Sequence, residues 1–315
     1  MSYPVPPQPA PPPSPPAGPS TAHPVAQPLD YAWLTRPGRR WWRILLSLLL
    51  FAAIFVGWTI ALTVVFVIIG VVAGWGPTWF AGNTVNLADL EMTPAFLLYN
   101  NLLLAGLIPA TIVSTWVTQR LRPGFTHSVA GRFRWGLFGQ LTLVLLPVWL
   151  VYIAINAVLS GSLFEAMEPD PQLVGFLVVI WLTTPLQCAG EEYAFRGWLL
   201  QNVGGLIPLR ALAWAIPAVL SAVLFSIAHT SFDPWVLLEL GIFATAVVII
   251  IWRTGGIEGA IALHMLNNMI IMHYTLVKGG FDDAFITPES SGQIWDVLAS
   301  LIGHGIAVAV VLWWA

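Results

Sequence analysis

The sequence predicts an all-α integral membrane protein with eight transmembrane helices, and three observations lead there. Hydrophobic residues fill 57% of its 315 positions and charged residues 9%, with a mean hydropathy of +0.80. A soluble domain carries roughly 25% charged residues, so this chain has too few to face water all round. The apolar residues also fall into eight segments, most of them near the ~20 residues that a span requires. Finally, arginines and acidic residues segregate into alternate loops, the pattern that orients a polytopic chain.

The first 28 residues stand apart. Twelve prolines with Ala, Ser and Gln between them offer no apolar face to bury. The segment reads as a disordered, proline-rich cytoplasmic tail. It lacks the basic start and apolar core of a signal peptide. The membrane domain follows over 41–315. Its spans are expected near 42–74, 95–118, 136–159, 172–190, 211–229, 235–252, 257–277 and 294–314, with a continuation of the fourth to 203 as a second reading. The first is long enough to tilt or to project from the bilayer.

The loops give an orientation. Arg36, Arg39, Arg40 and Arg43 precede the first span, and Arg120, Arg122, Arg132 and Arg134 separate the second from the third. Arg210 and Arg253 fall on the same side. The opposite loops hold Asp89, Glu91, Glu165, Glu168, Asp170, Asp233, Asp282 and Asp283 with one lysine, Lys278. The expectation is a multi-pass protein of a bacterial cell membrane with both termini cytoplasmic. Trp41, Trp42, Trp313 and Trp314 stand where an aromatic belt belongs. A net charge of −3 without a long basic cluster argues for no nucleic-acid partner; the lipid bilayer is the implied one. The single cysteine, Cys188, excludes an internal disulfide and a Cys-rich metal site, and reads as a small apolar helix residue.

Against this apolar background, "AGEEYAFRG" at 189–197 is costly. Each charge at bilayer depth costs about 2.5–3.5 kcal/mol even on a lenient insertion scale. Glu192 and Arg196, four apart, share a helix face and suit an ion pair. Glu191 points about 100° away from Glu192 and about 140° from Arg196, so it is left without an ionic partner in its own helix. An unpaired carboxylate in a low-dielectric site has the properties of a general base. Glu192 and Arg196 therefore read as structural, and Glu191 as chemical. His229 lies late in the fifth span in "FSIAHT", and "LHMLNN" puts His264 and Asn268 on one face of the seventh with Asn267 beside them. Such residues satisfy one another only by converging inside the bundle. His273 and His304 read as packed core histidines.

Glu-Glu-x-x-x-Arg at 191–196, Phe-x-x-x-His at 225–229 and His-x-x-x-Asn at 264–268, in that order on three spans, resemble the CPBP family of CAAX proteases and bacteriocin-processing enzymes. The resemblance covers about 172–277 and implies an intramembrane endopeptidase with a polar catalytic site in the bundle. It implies that Glu191 and His229 activate water on a membrane-associated or CAAX-like peptide, or a membrane-protein substrate. It gives His264 and Asn268 the part of binding a metal or stabilising the oxyanion. Glu191, His229 and His264 could ligate one divalent ion, Zn²⁺ being the metal such donors suit. The same residues could equally supply a base, an orienting imidazole and oxyanion donors without metal. The alternatives are a non-catalytic scaffold, immunity or peptide-binding protein of the same fold, or a transporter with a midplane polar site. His-Glu-x-x-His, Gly-x-Ser-Gly and Gly-x-Gly-Asp, the signatures of other membrane proteases, are absent.

Convergence strains these span limits. At about 1.5 Å per residue, His229 would stand some 25 Å from Arg210. The expected remedy is a fifth span that begins late, with 204–216 an interfacial connector broken by Pro208 and Pro217.

Overall fold

The structure, a computed structural model, describes residues 30–38, 40–74, 92–159 and 161–315. The proline-rich tail and the expected loop acids Asp89 and Glu91 lie outside the described residues. Eight helices are long and apolar enough to cross a membrane, and all-α architecture is confirmed. α1 runs over Trp41–Val72, α2 over Pro94–Ala105 and α3 over Leu107–Gln119, the last two together forming the second span. α4 covers Trp135–Leu159, and α5, Leu173–Glu192, continues through a π-helical stretch, Tyr193–Leu200, into α6, Gln201–Leu206. α7 is Arg210–Ala228, α8 Pro234–Thr254, α9 Glu258–Lys278 and α10 Ile294–Trp314.

The bundle is apolar outside and polar in places inside, as lipid solvation demands. Leu49, Val72, Leu143, Val174 and Leu182 are exposed, whereas Thr111, Thr115, Asn101, Thr184, Glu192 and Arg196 are buried. Trp41, Trp42, Trp313 and Trp314 are exposed at helix ends. α5 packs between α2 and α9, and α9 also packs on α4; α8 joins α7 to α10.

Glycine sets two close approaches. The second span breaks at Gly106, where an added Cβ would lie 2.2 Å from the Trp58 ring. The Trp58 Nε1–H donates to the Leu102 carbonyl at 2.9 Å, which supplies a bond to the interrupted ladder. At Gly190 an added Cβ would lie 2.1 Å from the Leu104 carbonyl oxygen. Only glycine lets α5 approach the α2–α3 break so closely, one residue before Glu191.

The arginine-rich loops fold back as a layer over one end of the bundle. Arg134 donates through Nε and Nη2 to the two oxygens of buried Glu258, at 2.9 and 2.7 Å, and through Nη1 to the Thr254 carbonyl. Its backbone N–H also donates to Glu258. This fork ties the 120–134 loop to the α8–α9 turn, where Gly255 adopts the left-handed φ of 69°. The Tyr31 hydroxyl donates to the Thr126 carbonyl, the Thr35 hydroxyl to the Gln201 carbonyl, and the Gln201 amide to the Phe125 carbonyl.

The late start expected for the fifth span is not found. Pro217 sits inside a continuous α7 that begins at Arg210, because in an apolar setting the helix gives up one hydrogen bond sooner than a whole ladder. The fourth span is instead the long one, 34 residues over Leu173–Leu206, or ~51 Å at 1.5 Å per residue. Glu191 stands near its middle, roughly four turns before the hairpin at 207–209, and His229 roughly five turns after it. The two arms of one helical hairpin thus bring both to similar depth.

The close approach at Gly190 is testable. Gly190→Ala forces α5 away from the Leu104 carbonyl and should lower stability by about 1–3 kcal/mol, the scale of overpacking. An unchanged thermal unfolding midpoint in detergent would contradict that packing.

Candidate active site

The four residues of the sequence motifs with chemical roles, Glu191, His229, His264 and Asn268, line one cavity of about 900 Å³. Glu191 comes from the end of α5, His229 from the C-cap of α7, and His264 and Asn268 from successive turns of α9. Glu192 and Arg196 lie behind this wall and are fully buried. The division expected from helix geometry is therefore present: one glutamate faces the cavity, the other the packing.

Glu192 Oε1 accepts from Arg196 Nη1 at 2.9 Å and from His264 Nδ1 at 2.9 Å. The Arg196 guanidinium is enclosed by aromatic faces, 4.8 Å from the Phe225 centroid, 5.7 Å from Phe243 and 5.8 Å from Phe195. Ion pairing and cation–π attraction replace part of the water that both charges have lost, while Glu192 Oε2 and Arg196 Nε and Nη2 make no hydrogen bond. Glu192 thus does more than pair with Arg196. By holding His264 at Nδ1 it directs Nε2 towards Glu191, whose Oε2 lies 3.6 Å away.

Glu191 is held differently. Its Oε1 accepts from Gln187 Nε2 at 2.7 Å, one turn back along α5, while Oε2 accepts no hydrogen bond. Glu191 therefore has a partner in its own helix after all, an amide and not a charge. That bond ends a one-way chain. Trp149 Nε1 donates to Asn267, Asn267 to Asn268, Asn268 to Gln187, and Gln187 to Glu191, at 3.3, 3.1, 3.3 and 2.7 Å. The indole can only donate and the carboxylate can only accept, so each amide between them has one consistent orientation.

His229 packs on Phe225 at a tilt of 51° with 4.5 Å between centroids, and the His264 ring packs edge-on against the same Phe225 at 6.0 Å. His229 Nδ1 lies 2.8 Å from the Phe225 carbonyl. A carbonyl can only accept, so the proton sits on Nδ1 and Nε2 carries the lone pair in the neutral ring. Thr230, next in sequence, has φ of 64°. That left-handed backbone is unfavourable for a β-branched residue, and it ends α7 abruptly at the imidazole.

The metal-ligand set Glu191, His229 and His264 is not assembled. Among the described residues no three His, Cys, Asp or Glu side chains stand where they could hold a metal ion. Glu192 and the Phe225 carbonyl engage Nδ1 of His264 and of His229, which leaves each Nε2 open; a metal-bound imidazole makes the same kind of contact through its second nitrogen.

Gln187 was not among the candidate residues. Its signal was available, since it is an amide within an apolar span, one helical turn before Glu191. Phe243, which packs on His264 at 4.9 Å, carries no comparable sign.

The buried pair yields a stability prediction. Glu192→Gln leaves Arg196 without a counter-charge and should cost about 3–5 kcal/mol, read as a lower unfolding midpoint in detergent. Adding Arg196→Met should recover part of the loss. Equal stability of Glu192→Gln and the parent would show that the pair does not hold the bundle.

Residues 171–270 match the family model of the type II CAAX prenyl endopeptidase Rce1-like proteins. The matched segment, about a third of the chain, contains all seven motif residues. No curated protein and no solved structure matches the chain. By that match, the core that holds the cavity is similar to the CAAX-protease type of the CPBP intramembrane proteases.

Proposed function

We propose that the chain hydrolyses a peptide bond of a membrane-associated peptide or membrane protein, with Glu191 as the proton acceptor. The observation that carries this reading is the contrast between the adjacent glutamates. Glu192 is committed to Arg196 and His264, whereas Glu191 keeps one oxygen without a hydrogen bond beside an imidazole and a cavity.

In the proposed step a water donates one proton to Glu191 and its oxygen bonds to the scissile carbonyl carbon. His229, with its proton on Nδ1, offers Nε2 to orient that water. The carbonyl oxygen becomes the oxyanion, for which the Asn268 amide on the cavity wall is the donor. The carbon–nitrogen bond then breaks, and the proton held by Glu191 passes to the leaving nitrogen. His264, fixed at Nδ1 by Glu192, faces the same space with Nε2. The proposed step uses these side chains and water alone.

Orientation belongs to the same proposal. The layer formed by residues 120–134 and the α8–α9 turn carries Arg120, Arg122, Arg132, Arg134 and Arg253, so the positive-inside rule assigns it to the cytoplasm. Arg122 and Glu289 are both exposed, and Cys188 is buried. Arg122→Cys should react with an impermeant maleimide only from the cytoplasmic side, and Glu289→Cys only from the other. The reverse labelling would invert the orientation.

Catalysis is tested by incubating the purified protein in detergent with a membrane-peptide library and reading cleavage by mass spectrometry. The proposal expects cleavage that persists in a chelator. Absence of any cleavage would contradict the peptidase reading. Loss of cleavage in chelator with rescue by Zn²⁺ would contradict the metal-free step.

A further inference from the structure

The cavity continues past the catalytic residues to a second polar group that the proposed chemistry does not use. Glu239 on α8, Asp296 on α10, Tyr152 on α4 and His304 on α10 line it. Glu239 lies within a transmembrane helix, yet among the described residues it has no hydrogen bond or ion pair. A carboxylate there is expensive unless something pairs with it. No lysine or arginine lines the cavity.

His304 supplies an independent sign. It is 6% exposed, and its Nε2 has no hydrogen-bond partner. Its Nδ1 lies 2.8 Å from the Ser300 carbonyl, which can only accept, so the proton is on Nδ1 and Nε2 is a bare acceptor. Among the described residues, Glu239 and His304 Nε2 are thus acceptors without a donor, in one cavity lining with Tyr152 and with Asp296, whose Oδ2 accepts only the Gln293 backbone N–H at 2.7 Å. An ammonium or guanidinium group supplies what all of them lack: several N–H donors, a positive charge and an affinity for aromatic faces.

Position connects this group to the catalytic residues. Phe243, one turn after Glu239, packs edge-on with His304 at 5.6 Å and with His264 at 4.9 Å. The His304 ring is therefore within about 10 Å of the His264 ring, roughly three residues of extended chain at ~3.3 Å each.

We propose that Glu239, Asp296 and His304 form a subsite for a cationic group of the substrate, two or three residues from the scissile bond. This rests on the peptidase reading only for the position of the bond; the cation site itself does not require cleavage. The cation is a Lys or Arg side chain, or the free amino terminus of a short peptide.

The test measures binding separately from cleavage. Full-length protein carrying Glu191→Gln is titrated with fluorescent peptides in three forms: acetylated with a lysine scanned along the sequence, acetylated with norleucine in its place, and free-amine with norleucine. At one position lysine should bind about tenfold or more tightly than norleucine, the scale of lost hydrogen bonds to charge. A gain confined to the free-amine peptide would assign the site to the amino terminus instead. Glu239→Gln should abolish the discrimination, with the unfolding midpoint read alongside. If that variant does not fold, the lysine-to-norleucine comparison on the intact subsite decides alone. Equal binding of all three forms, no binding of any, or discrimination that survives Glu239→Gln in folded protein would overturn the subsite. Discrimination without cleavage by the parent protein would leave the subsite standing and remove the peptidase reading; cleavage without discrimination would do the reverse.

Discussion

A charge inside a hydrocarbon-solvated bundle must be neutralised by the protein itself, and here one pair does most of that work. Glu192 and Arg196, one turn apart on the fourth span, are both fully buried and bonded at 2.9 Å. Their burial is tolerable because three phenylalanine rings surround the guanidinium and His264 shares the carboxylate. Those partners come from the π-helical stretch, α7, α8 and α9. The need to satisfy one pair therefore draws four segments of the bundle to a common centre, and the catalytic cavity lies against it.

Two adjacent glutamates acquire opposite characters from this arrangement. Glu192 meets a cation and an imidazole; Glu191 meets a neutral amide and leaves an oxygen open. Environments that separate two like groups are how one fold assigns distinct acid–base roles. The chain of donors from Trp149 through Asn267, Asn268 and Gln187 adds direction. Each bond polarises the next towards Glu191, and it locks the rotamers of residues on α4, α5 and α9 together. The π-helical geometry of Tyr193–Leu200 begins immediately after the pair, in keeping with the common placement of such turns at functional sites.

Much of this was legible in the sequence. Local spacing gave the Glu192–Arg196 pair and the shared face of His264 and Asn268, because helix periodicity alone decides who can meet within a turn. Hydropathy gave eight spans. A bilayer-length window ends the fourth where charges begin, near 190, and the longer reading to 203 is the one that holds, since a helix of 34 residues carries its charges in mid-length. The late start expected for the fifth span is not needed once Glu191 stands in mid-helix. The Arg134–Glu258 fork and the Trp149–Asn267 bond join residues more than a hundred positions apart, and no local pattern encodes such a meeting. The aim of each imidazole was hidden for a related reason. Residue types can be listed from sequence, but the contacts that aim each imidazole cannot.

The central claim is that Glu191, and not its neighbour, takes the proton in turnover. The most direct measurement is peptide cleavage by Glu191→Gln beside its thermal unfolding midpoint, since the substitution is nearly isosteric and preserves an acceptor for Gln187. The account predicts an unchanged midpoint with turnover lower by about 10²-fold or more, the scale of general-base loss. Normal turnover by the folded variant would contradict it.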